Sequence, residues 1–156
     1  DNPVIDVKSD PFDPKTAYAV IQDSRVYKTT DGGDNWQALS NITGLNKMQS
    51  VFSVDFDRQN EGVLFLVSRN GIVKSLDNGE TWQSTDVIST NNSPNISNLA
   101  INPDNSSNIY YSIANEFYKT SDGGRTWGVH ELKGVGNISV IEPSPSSEKI
   151  YIGVSR

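Results

Sequence analysis

Apolar residues occur along this chain in short runs, and turn-forming residues separate one run from the next. Within several runs the polar positions alternate with apolar ones, as Ser53 and Asp55 do on either side of Val54. A period of two residues predicts a β-strand with one buried face, and Gly, Asn, Asp and Pro between runs predict tight turns. No segment keeps a helical period, so the pattern predicts an all-β chain.

The runs predict four strands in each of three units and two strands at the end of the chain. The predicted first strands are Val4 to Val7, Val51 to Phe56, Ile96 to Ile101 and Asn137 to Ile141. The predicted fourth strands are Asn35 to Leu39, Thr81 to Thr85 and Thr126 to Leu132. Asn70-Gly71 predicts a hairpin whose two central residues have positive φ, and Pro143 predicts the end of pairing after a first strand.

A short motif recurs three times, at intervals of 45 to 46 residues, and contains all three tryptophans of the chain. Its pattern is Ser/Thr-x-Asp-x-Gly-x-Thr/Asn-Trp, and it falls between the third and fourth strand of each unit. Its members are Thr29, Asp31, Gly33, Asn35 and Trp36, then Ser75, Asp77, Gly79, Thr81 and Trp82, then Thr120, Asp122, Gly124, Thr126 and Trp127. A fixed period of this length indicates a repeat architecture.

Four antiparallel strands repeated at a fixed period predict the blades of a β-propeller. A β-sandwich is the alternative, but it gives no reason for so regular a motif. The predicted boundaries are about 1–46 for blade 1, 47–92 for blade 2, 93–135 for blade 3 and 136–156 for a half-blade. Three and a half blades do not close a ring of the usual four to eight. We therefore expect either a larger propeller, of which this chain is a fragment, or copies that associate to close the ring.

Composition narrows the classes of partner. The chain has 156 residues, a formal net charge of −6 and no cysteine. A negative net charge argues against a nucleic-acid partner, and no apolar stretch approaches the roughly 20 residues of a membrane-spanning helix, so we expect no insertion into a membrane. Without cysteine there is no disulfide, thiol nucleophile or cysteine zinc site.

The residue types of the motif suit a reverse turn. Glycine takes the positive φ that such turns need, and Asp31, Asp77 and Asp122 can accept hydrogen bonds from backbone N–H groups, as in an Asx-turn. Thr81, Thr126 and Asn35 lie close enough in sequence to add a further bond. The tryptophans are expected to pack beneath the turns and between blades. We therefore interpret the three motifs as structural.

These motifs resemble Asp-box repeats, also called BNR repeats. Such repeats are found in sialidases, sortilin-type receptors, xyloglucan-cleaving glycoside hydrolases and the photosystem II assembly factor of cyanobacteria and plastids. The segments Asp10-Pro11-Phe12-Asp13-Pro14 and Tyr118-Lys119-Thr120 are similar to connections in xyloglucanase-like and sortilin-like propellers. The resemblance implies that the box is a structural staple at the blade periphery. Fold-level kinship does not by itself carry a function.

Candidate catalytic residues are few. The arginine cluster and Arg-Ile-Pro segment that the resemblance to sialidases would require are not present in this sequence. A glycoside hydrolase needs two carboxylates beside the scissile bond. Asp6 and Asp55 are the candidates, because they lie on first strands, which line the central channel of propellers. The simpler interpretation is that both are polar residues of a wet channel, and the resemblance to xyloglucanases implies that one lobe supplies only one catalytic aspartate.

Other chemistry has little support in the sequence. His130 is the single histidine and is predicted on a fourth strand, so it cannot form a cluster of metal ligands. There is no nucleophile elbow and no phosphate-binding glycine loop followed by a helix. We expect no metal and no cofactor.

The sequence therefore predicts a binding or scaffold module of an exported protein, found outside the cell, at its surface or in the periplasm. Its expected ligand is a protein or a polysaccharide, bound through the inter-blade loops Ser40 to Gln49, Ser89 to Ser97 and Lys133 to Asn137. One lobe of a polysaccharide hydrolase resembling xyloglucanases is the first alternative. A photosystem II assembly factor is the second; it predicts a basic patch, for which a net charge of −6 gives no support.

Overall fold

The computed structural model describes residues 2–22, 25–39, 42, 50–89, 94–145 and 149–155. These residues form fourteen β-strands joined by turns and bends. In the described part of the chain, no helix is long and apolar enough to cross a membrane.

The strands form three four-stranded sheets and one two-stranded sheet, each antiparallel and each in sequence order. Blade 1 contains β1 (Val4–Ser9), β2 (Ala17–Ile21), β3 (Arg25–Thr29) and β4 (Gln37–Ala38). Blade 2 contains β5 (Val51–Phe56), β6 (Leu64–Ser68), β7 (Gly71–Ser75) and β8 (Gln83–Thr85). Blade 3 contains β9 (Ile96–Ile101), β10 (Ile109–Ile113), β11 (Glu116–Thr120) and β12 (Gly128–Glu131), and the half-blade contains β13 (Ile138–Pro143) and β14 (Ile150–Val154). This confirms the predicted all-β fold of three propeller blades and the first two strands of a fourth.

The chain divides into two compact units, Asp1–Ser84 and Thr85–Arg156. Blades 1 and 2 make up most of the first unit, and blade 3 and the half-blade lie in the second. The predicted boundaries near residues 46 and 92 lie outside the described residues, and the blade limits stay predictions.

The core of the first unit lies between blades 1 and 2. Strands β1 and β2 contact β5, and the side chains between them are almost fully buried. They are Tyr18, Val20, Val26, Val51, Val54, Phe56, Leu64, Leu66 and Val73, with Leu39 and Trp82 packed against them. Because apolar burial stabilises by about 25 cal/mol per Å², this contact between neighbouring sheets contributes to the stability of the unit.

The second unit repeats this arrangement between blade 3 and the half-blade. Ala100 and Tyr110 pack against Ile138 and Ile141, and partly buried apolar residues surround them. Tyr110 is the counterpart of Tyr18, because each lies on the second strand of its blade and pairs with a lysine of the third.

Several strand ends differ from the sequence prediction. The fourth strands begin two residues later than predicted, at Gln37, Gln83 and Gly128, because the two preceding residues of each belong to the turn of the motif. Strand β1 extends two residues further than predicted, to Ser9, and so includes Lys8.

One predicted turn was confirmed and one was wrong. Pro143 is the last residue of β13, paired with Ile150, and a turn residue follows at Pro145, so pairing ends there as predicted. The hairpin at Asn70-Gly71 exists, but its central residues are Arg69 and Asn70, and Gly71 pairs with Ser68 as the first residue of β7. Neither Asn70 nor Gly71 has positive φ. Instead, the Ser68 hydroxyl closes the turn by accepting from the Asn70 N–H and donating to the Gly71 carbonyl.

Candidate functional site

The first Asp-box hairpin, between β3 and β4, is held by one hydroxyl and one carboxylate. The Thr29 hydroxyl donates to Asp31 Oδ1 at 2.8 Å and accepts from the Gly33 N–H at 3.0 Å. Asp31 then accepts from the backbone N–H of Asn35 at 2.9 Å and from its side-chain amide at 2.8 Å. The carboxylate therefore spans the turn from one strand to the other.

The other two boxes repeat these bonds. Ser75 and Thr120 take the place of Thr29, and each hydroxyl donates to the carboxylate of its own box, at 2.8 Å and 2.7 Å. Asp77 and Asp122 accept from the backbone N–H of the threonine four residues on, at 2.8 Å and 2.9 Å. The hydroxyls of Thr81 and Thr126 donate to the second carboxylate oxygen.

The turn requires two successive residues with positive φ. Gly33, Gly79 and Gly124 have φ of 100°, 82° and 95°. The residue before each also lies in the left-handed region: Gly32 at 81°, Asn78 at 56° and Gly123 at 73°. Sequence reasoning missed this second position, although Gly, Asn and Gly are the residue types that tolerate left-handed backbone best.

Each box is also tied to another connection of its own blade. The N–H groups of Gly32, Asn78 and Gly123 donate to the carbonyls of Lys15, Gly62 and Ser107, at 2.8 Å, 2.9 Å and 3.0 Å. These three acceptors lie between the first and second strands. A box therefore joins two turns at the same end of a blade.

The hydrogen bonds explain the acidity of the box carboxylates. The backbone N–H of Asn35 is the main cause that lowers the pKa of Asp31 to about 2, and the Thr81 hydroxyl is the main cause that lowers the pKa of Asp77 to about 2. The Thr120 hydroxyl acts in the same way on Asp122, whose pKa lies well below its usual range. Since a carboxylate of this kind stays ionised and already accepts several bonds, these bonds favour the structural interpretation of the boxes, which stays a prediction.

The three box tryptophans have different surroundings. Trp82 packs against the core between blades 1 and 2, and its buried indole N–H has no acceptor among the described residues. The Trp127 indole donates to the Asp86 carbonyl at 2.9 Å, and its ring meets Tyr111 edge-on at 4.7 Å. Trp36 is 40% exposed and donates only to the Gly33 carbonyl of its own turn. Among the described residues Trp36 contacts its own turn, and its packing between blades stays a prediction.

Trp36 is part of a larger surface, which we call the leading face of blade 1. It consists of Val7, Ala19, Tyr27 and Trp36, and it borders an apolar groove of about 450 Å³. Strand pairing makes Val7, Ala19 and Tyr27 the counterparts of Val54, Leu66 and Val73. These counterparts, with Trp82, form the leading face of blade 2, which is buried against blade 1.

Asp6, the first catalytic candidate, bridges two blades. Its Oδ2 accepts from the Ser53 hydroxyl at 2.8 Å and from the Val54 N–H at 3.0 Å. In the second unit the corresponding side chain, Asn98, donates to the Ile138 carbonyl at 3.2 Å. One repeat position thus links neighbouring first strands in both units, by an acceptor in one case and a donor in the other.

Asp55, the second candidate, has a different environment. It is half-buried on β5, and its Oδ1 accepts from the Phe56 N–H at 2.9 Å. Burial raises its pKa, while that hydrogen bond and the charges of Lys8 and Arg58 oppose the rise. Asp6 is close enough for its charge to add slightly to the rise. Asp55 is therefore a carboxyl group that holds a proton more readily than an ordinary aspartate.

Asp55 lines a groove of about 320 Å³ where β1 and β5 end, which we call the Asp55 groove. Its other lining residues are Val7, Lys8, Ser9, Pro11, Phe56 and Arg58. Lys8 comes from blade 1 and Arg58 from the turn after β5, and both are exposed. The groove therefore combines two cations and one half-buried carboxyl group from two neighbouring blades. Asp6 is not among its lining residues.

Three further predictions concern a metal site, His130 and the inter-blade loops, and only part of the loops lies among the described residues. Among the described residues, no group of three or more His, Asp or Glu side chains is placed to hold a metal ion. His130 is exposed on β12, and its ring stacks on Phe117 at 4.7 Å. Of the three predicted binding loops, residues 43–49 and 90–93 lie outside the described residues, whereas Lys133 to Asn137 form an exposed connection before β13.

The sequence profile of one protein family matches residues 1–156, and that family is described as the photosynthesis system II assembly factor YCF48. This chain belongs to the YCF48 family. A search of curated proteins found no sequence that matches it. The predicted relationship to Asp-box propellers is therefore confirmed, and the matching family model is that of the second alternative, for which the net charge gave no support.

Solved structures share the fold of this YCF48-family chain. An ancestral GH74 enzyme matches with a TM-score of 0.78 and 19% identity over 97% of this chain and 22% of its own. A structure of YCF48 bound to a D1 peptide matches with a TM-score of 0.68 and 18% identity over 93% of this chain and 46% of its own. The GH74 xyloglucanase from Xanthomonas campestris matches with a TM-score of 0.72 and 16% identity over 99% of this chain and 28% of its own.

The chain spans about a fifth to about half of the length of these structures. At such identities the similarity shows a common fold and no more. The YCF48-family chain is therefore a propeller segment related in fold both to a peptide-bound assembly factor and to glycoside hydrolases.

Proposed function

We propose that this chain is part of an exported propeller that binds a segment of another protein and acts as a scaffold. The Asp55 groove is the observation that carries the proposal. It lies where two first strands end, and it presents charged side chains from two blades. Membership of an assembly-factor family supports this function, as does the peptide bound to one structure of the same fold.

The chemistry of the groove favours a protein ligand over a neutral polysaccharide. Lys8 and Arg58 offer charged hydrogen-bond donors, which bind ionised acceptors about twice as strongly as neutral ones. Protein segments supply such ionised acceptors as carboxylates, whereas neutral sugars supply only uncharged oxygens. A polysaccharide ligand is therefore the alternative outcome of the test.

The test measures binding of a labelled D1 peptide and of soluble xyloglucan to the purified protein, together with two matched variants. Ser9→Phe fills the groove with a side chain that the repeat already accepts, because Phe56 is the residue of blade 2 at this repeat position. Ser121→Phe places the same side chain on the third box hairpin, at the position where blade 2 has the exposed Leu76. We expect the peptide to bind, and Ser9→Phe alone to weaken that binding. Binding of xyloglucan only, or equal effects of both variants, would contradict the proposal.

A second candidate function is one lobe of a polysaccharide-cleaving glycoside hydrolase. The observation in its favour is the raised pKa of Asp55, since a general acid must hold its proton near the working pH. Asp6 is less suited to that role, because its carboxylate already accepts two bonds from blade 2. If this function is correct, Asp55→Asn abolishes cleavage of xyloglucan by the whole protein; unchanged cleavage would exclude Asp55.

We also propose that further blades, either of the same protein or of a second copy, cover the leading face of blade 1. Val7 is 53% exposed there, whereas its counterpart Val54 is fully buried. Exposed apolar surface of this kind favours association. Light scattering after size-exclusion chromatography tests the second-copy form. A stable dimer supports self-association, and a monomer leaves blades of the same protein as the cover.

A further inference from the structure

The Asp55 groove has an excess of positive charge although the chain as a whole is acidic. Lys8 and Arg58 are its two cations, and Asp55 is its single acidic side chain. The formal charge of these three groups is therefore positive when Asp55 is ionised, and larger when Asp55 is protonated. The net charge of −6 conceals this local excess.

The protonation state of Asp55 affects how strongly the groove attracts an anionic ligand. Its half-buried carboxyl group has one oxygen engaged by the Phe56 N–H. Both cations lie near enough for their charges to act on it. An ionised Asp55 thus competes with a ligand for the attraction of Lys8 and Arg58, whereas a protonated Asp55 does not.

We infer that the Asp55 groove is a binding site for a carboxylate group, which Lys8 and Arg58 hold and with which Asp55 competes. This inference rests on the proposed protein ligand and specifies its chemistry. Arginine suits the site because its guanidinium group donates two parallel bonds to one carboxylate. The two cations come from β1 and from the turn after β5, so the site exists only where blades 1 and 2 meet.

Binding should depend on pH in a defined direction. The charged groups facing Asp55 are Lys8 and Asp6 from β1 and Arg58 from its own blade, while its partner on β6 is the uncharged Phe65. Because the pKa of Asp55 is raised, Asp55 is protonated at a higher pH than an ordinary aspartate. Affinity for a carboxylate should therefore rise as pH falls from neutrality, until the ligand itself is protonated near about pH 4.

The test uses three labelled hexapeptides that differ only in the placement of one carboxylate. The first has a central glutamate and an amidated C-terminus, and the second has glutamine there instead. The third has the glutamine and a free C-terminal carboxylate. At about pH 5.5, where a free carboxylate is still ionised, we expect the first or the third to bind about tenfold more tightly than the second, as a charge-assisted bond predicts. Which of the two binds identifies a side chain or a chain terminus as the source.

Four variants locate the effect. Lys8→Gln and Arg58→Gln should each weaken binding of the preferred peptide about tenfold, since each removes a charged donor. Lys15→Gln removes the same charge from an exposed lysine outside the groove and should leave binding unchanged. Asp55→Asn should strengthen binding at neutral pH and abolish the dependence on pH above the pKa of the ligand, because its amide does not titrate.

The failures of the inference and of the proposed function are distinguishable. If the D1 peptide binds but the glutamine hexapeptide binds as well as the other two, and Arg58→Gln has no effect, the inference is overturned and a protein ligand remains. If none of the peptides binds, acetate is titrated while the amide NMR signals of Val7 and Phe56 are followed. Shifts that Arg58→Gln removes support the carboxylate site without a peptide ligand, and unmoved signals overturn it.

Discussion

The leading faces of blades 1 and 2 contain equivalent residues, yet one face is open and the other is buried. Val7 is 53% exposed and Val54 is not exposed at all, although both lie at the same position of the repeat. Trp36 and Trp82 differ in the same way: Trp36 contacts its own turn, and Trp82 contacts the core between the blades. Blade 1 covers the leading face of blade 2, whereas none of the described residues covers the leading face of blade 1 in this way.

From this comparison we expect the leading face of a blade to add to stability where a neighbouring blade covers it. Within each hairpin the Asp box makes the same bonds whether or not the face is covered. Across the face, by contrast, the turn of the second box is held by blade 1, because Tyr18 and Lys28 both donate to the Asn78 carbonyl, at 2.6 Å and 2.8 Å. The box thus shapes the turn, and the neighbouring blade determines how much that turn contributes to the core.

The largest expected difference between the two faces concerns the box glycines. Gly79→Ala puts a methyl group 3.3 Å from the Trp82 ring and 3.4 Å from the Tyr18 ring, at a φ of 82°. Left-handed backbone and overpacking together should lower the free energy of unfolding by about 2–4 kcal/mol. Gly33→Ala changes the equivalent position of blade 1, where φ is 100° and the added carbon meets only the Trp36 ring, at 3.8 Å, so we expect about 1–2 kcal/mol. Urea denaturation measures both, and equal losses would contradict the role given to the neighbouring blade.

The second prediction removes matched apolar side chains. Val54→Ala deletes two buried methyl groups and should lower the free energy of unfolding by about 2 kcal/mol. Val7→Ala removes the same groups from an exposed position and should change it by less than about 0.5 kcal/mol. Thermal denaturation of the two variants tests the difference. A large loss with Val7→Ala would mean that blade 1 is covered in solution, for example by a second copy.

Acid should lower the free energy of unfolding by a smaller amount, and the boxes of blades 1 and 2 should contribute similarly to that loss. The pKa values of Asp31 and Asp77 are lowered to about 2 by the bonds of their own turns. Their contribution is therefore complete above the unfolded pKa, near about 4, and is lost as pH falls toward about 2. Asp31→Asn and Asp77→Asn should each reduce this acid-dependent loss of stability. Acid titrations followed by circular dichroism test this, and a change in only one variant would show that coverage affects the boxes as well.

The smallest expected difference between the two faces concerns the quenching of tryptophan fluorescence. Iodide should quench the fluorescence of Trp36 more strongly than that of Trp82, because only Trp36 is substantially exposed. Trp36→Phe should therefore remove most of the quenching, and Trp82→Phe little of it. The reverse order would refute the difference in exposure while leaving the fold intact.

Sequence reasoning could predict the strands and boxes because each depends on nearby residues. Alternation predicts a strand, and the spacing of Thr29, Asp31 and Asn35 is sufficient to predict which groups meet across a turn. The start of β4 at Gln37 was missed because Asn35 and Trp36 suit both a strand and the box turn. In the same way, Asn70-Gly71 has the residues of one turn type, but the Ser68 hydroxyl stabilises another.

Properties that depend on a second blade could not be predicted from the chain alone. Asp6 and Asp55 were both candidates because they share a strand face, yet Asp6 is engaged by blade 2 and Asp55 lines a groove. The groove itself was missed, because Arg58 follows β5 in a turn and meets Lys8 only when two sheets pack together. The net charge could not predict the positive charge of this groove for the same reason, since it adds up the charges of the whole chain.

Hydrogen exchange of the protein with and without a bound acidic peptide tests most directly where the function lies. The account predicts that the peptide protects backbone amides at the end of β1 and in the turn after β5, around Lys8 and Arg58, and leaves the three Asp-box hairpins unchanged. Protection confined to the box hairpins would contradict it, because the boxes would then be the binding surface and the Asp55 groove a simple gap between two sheets.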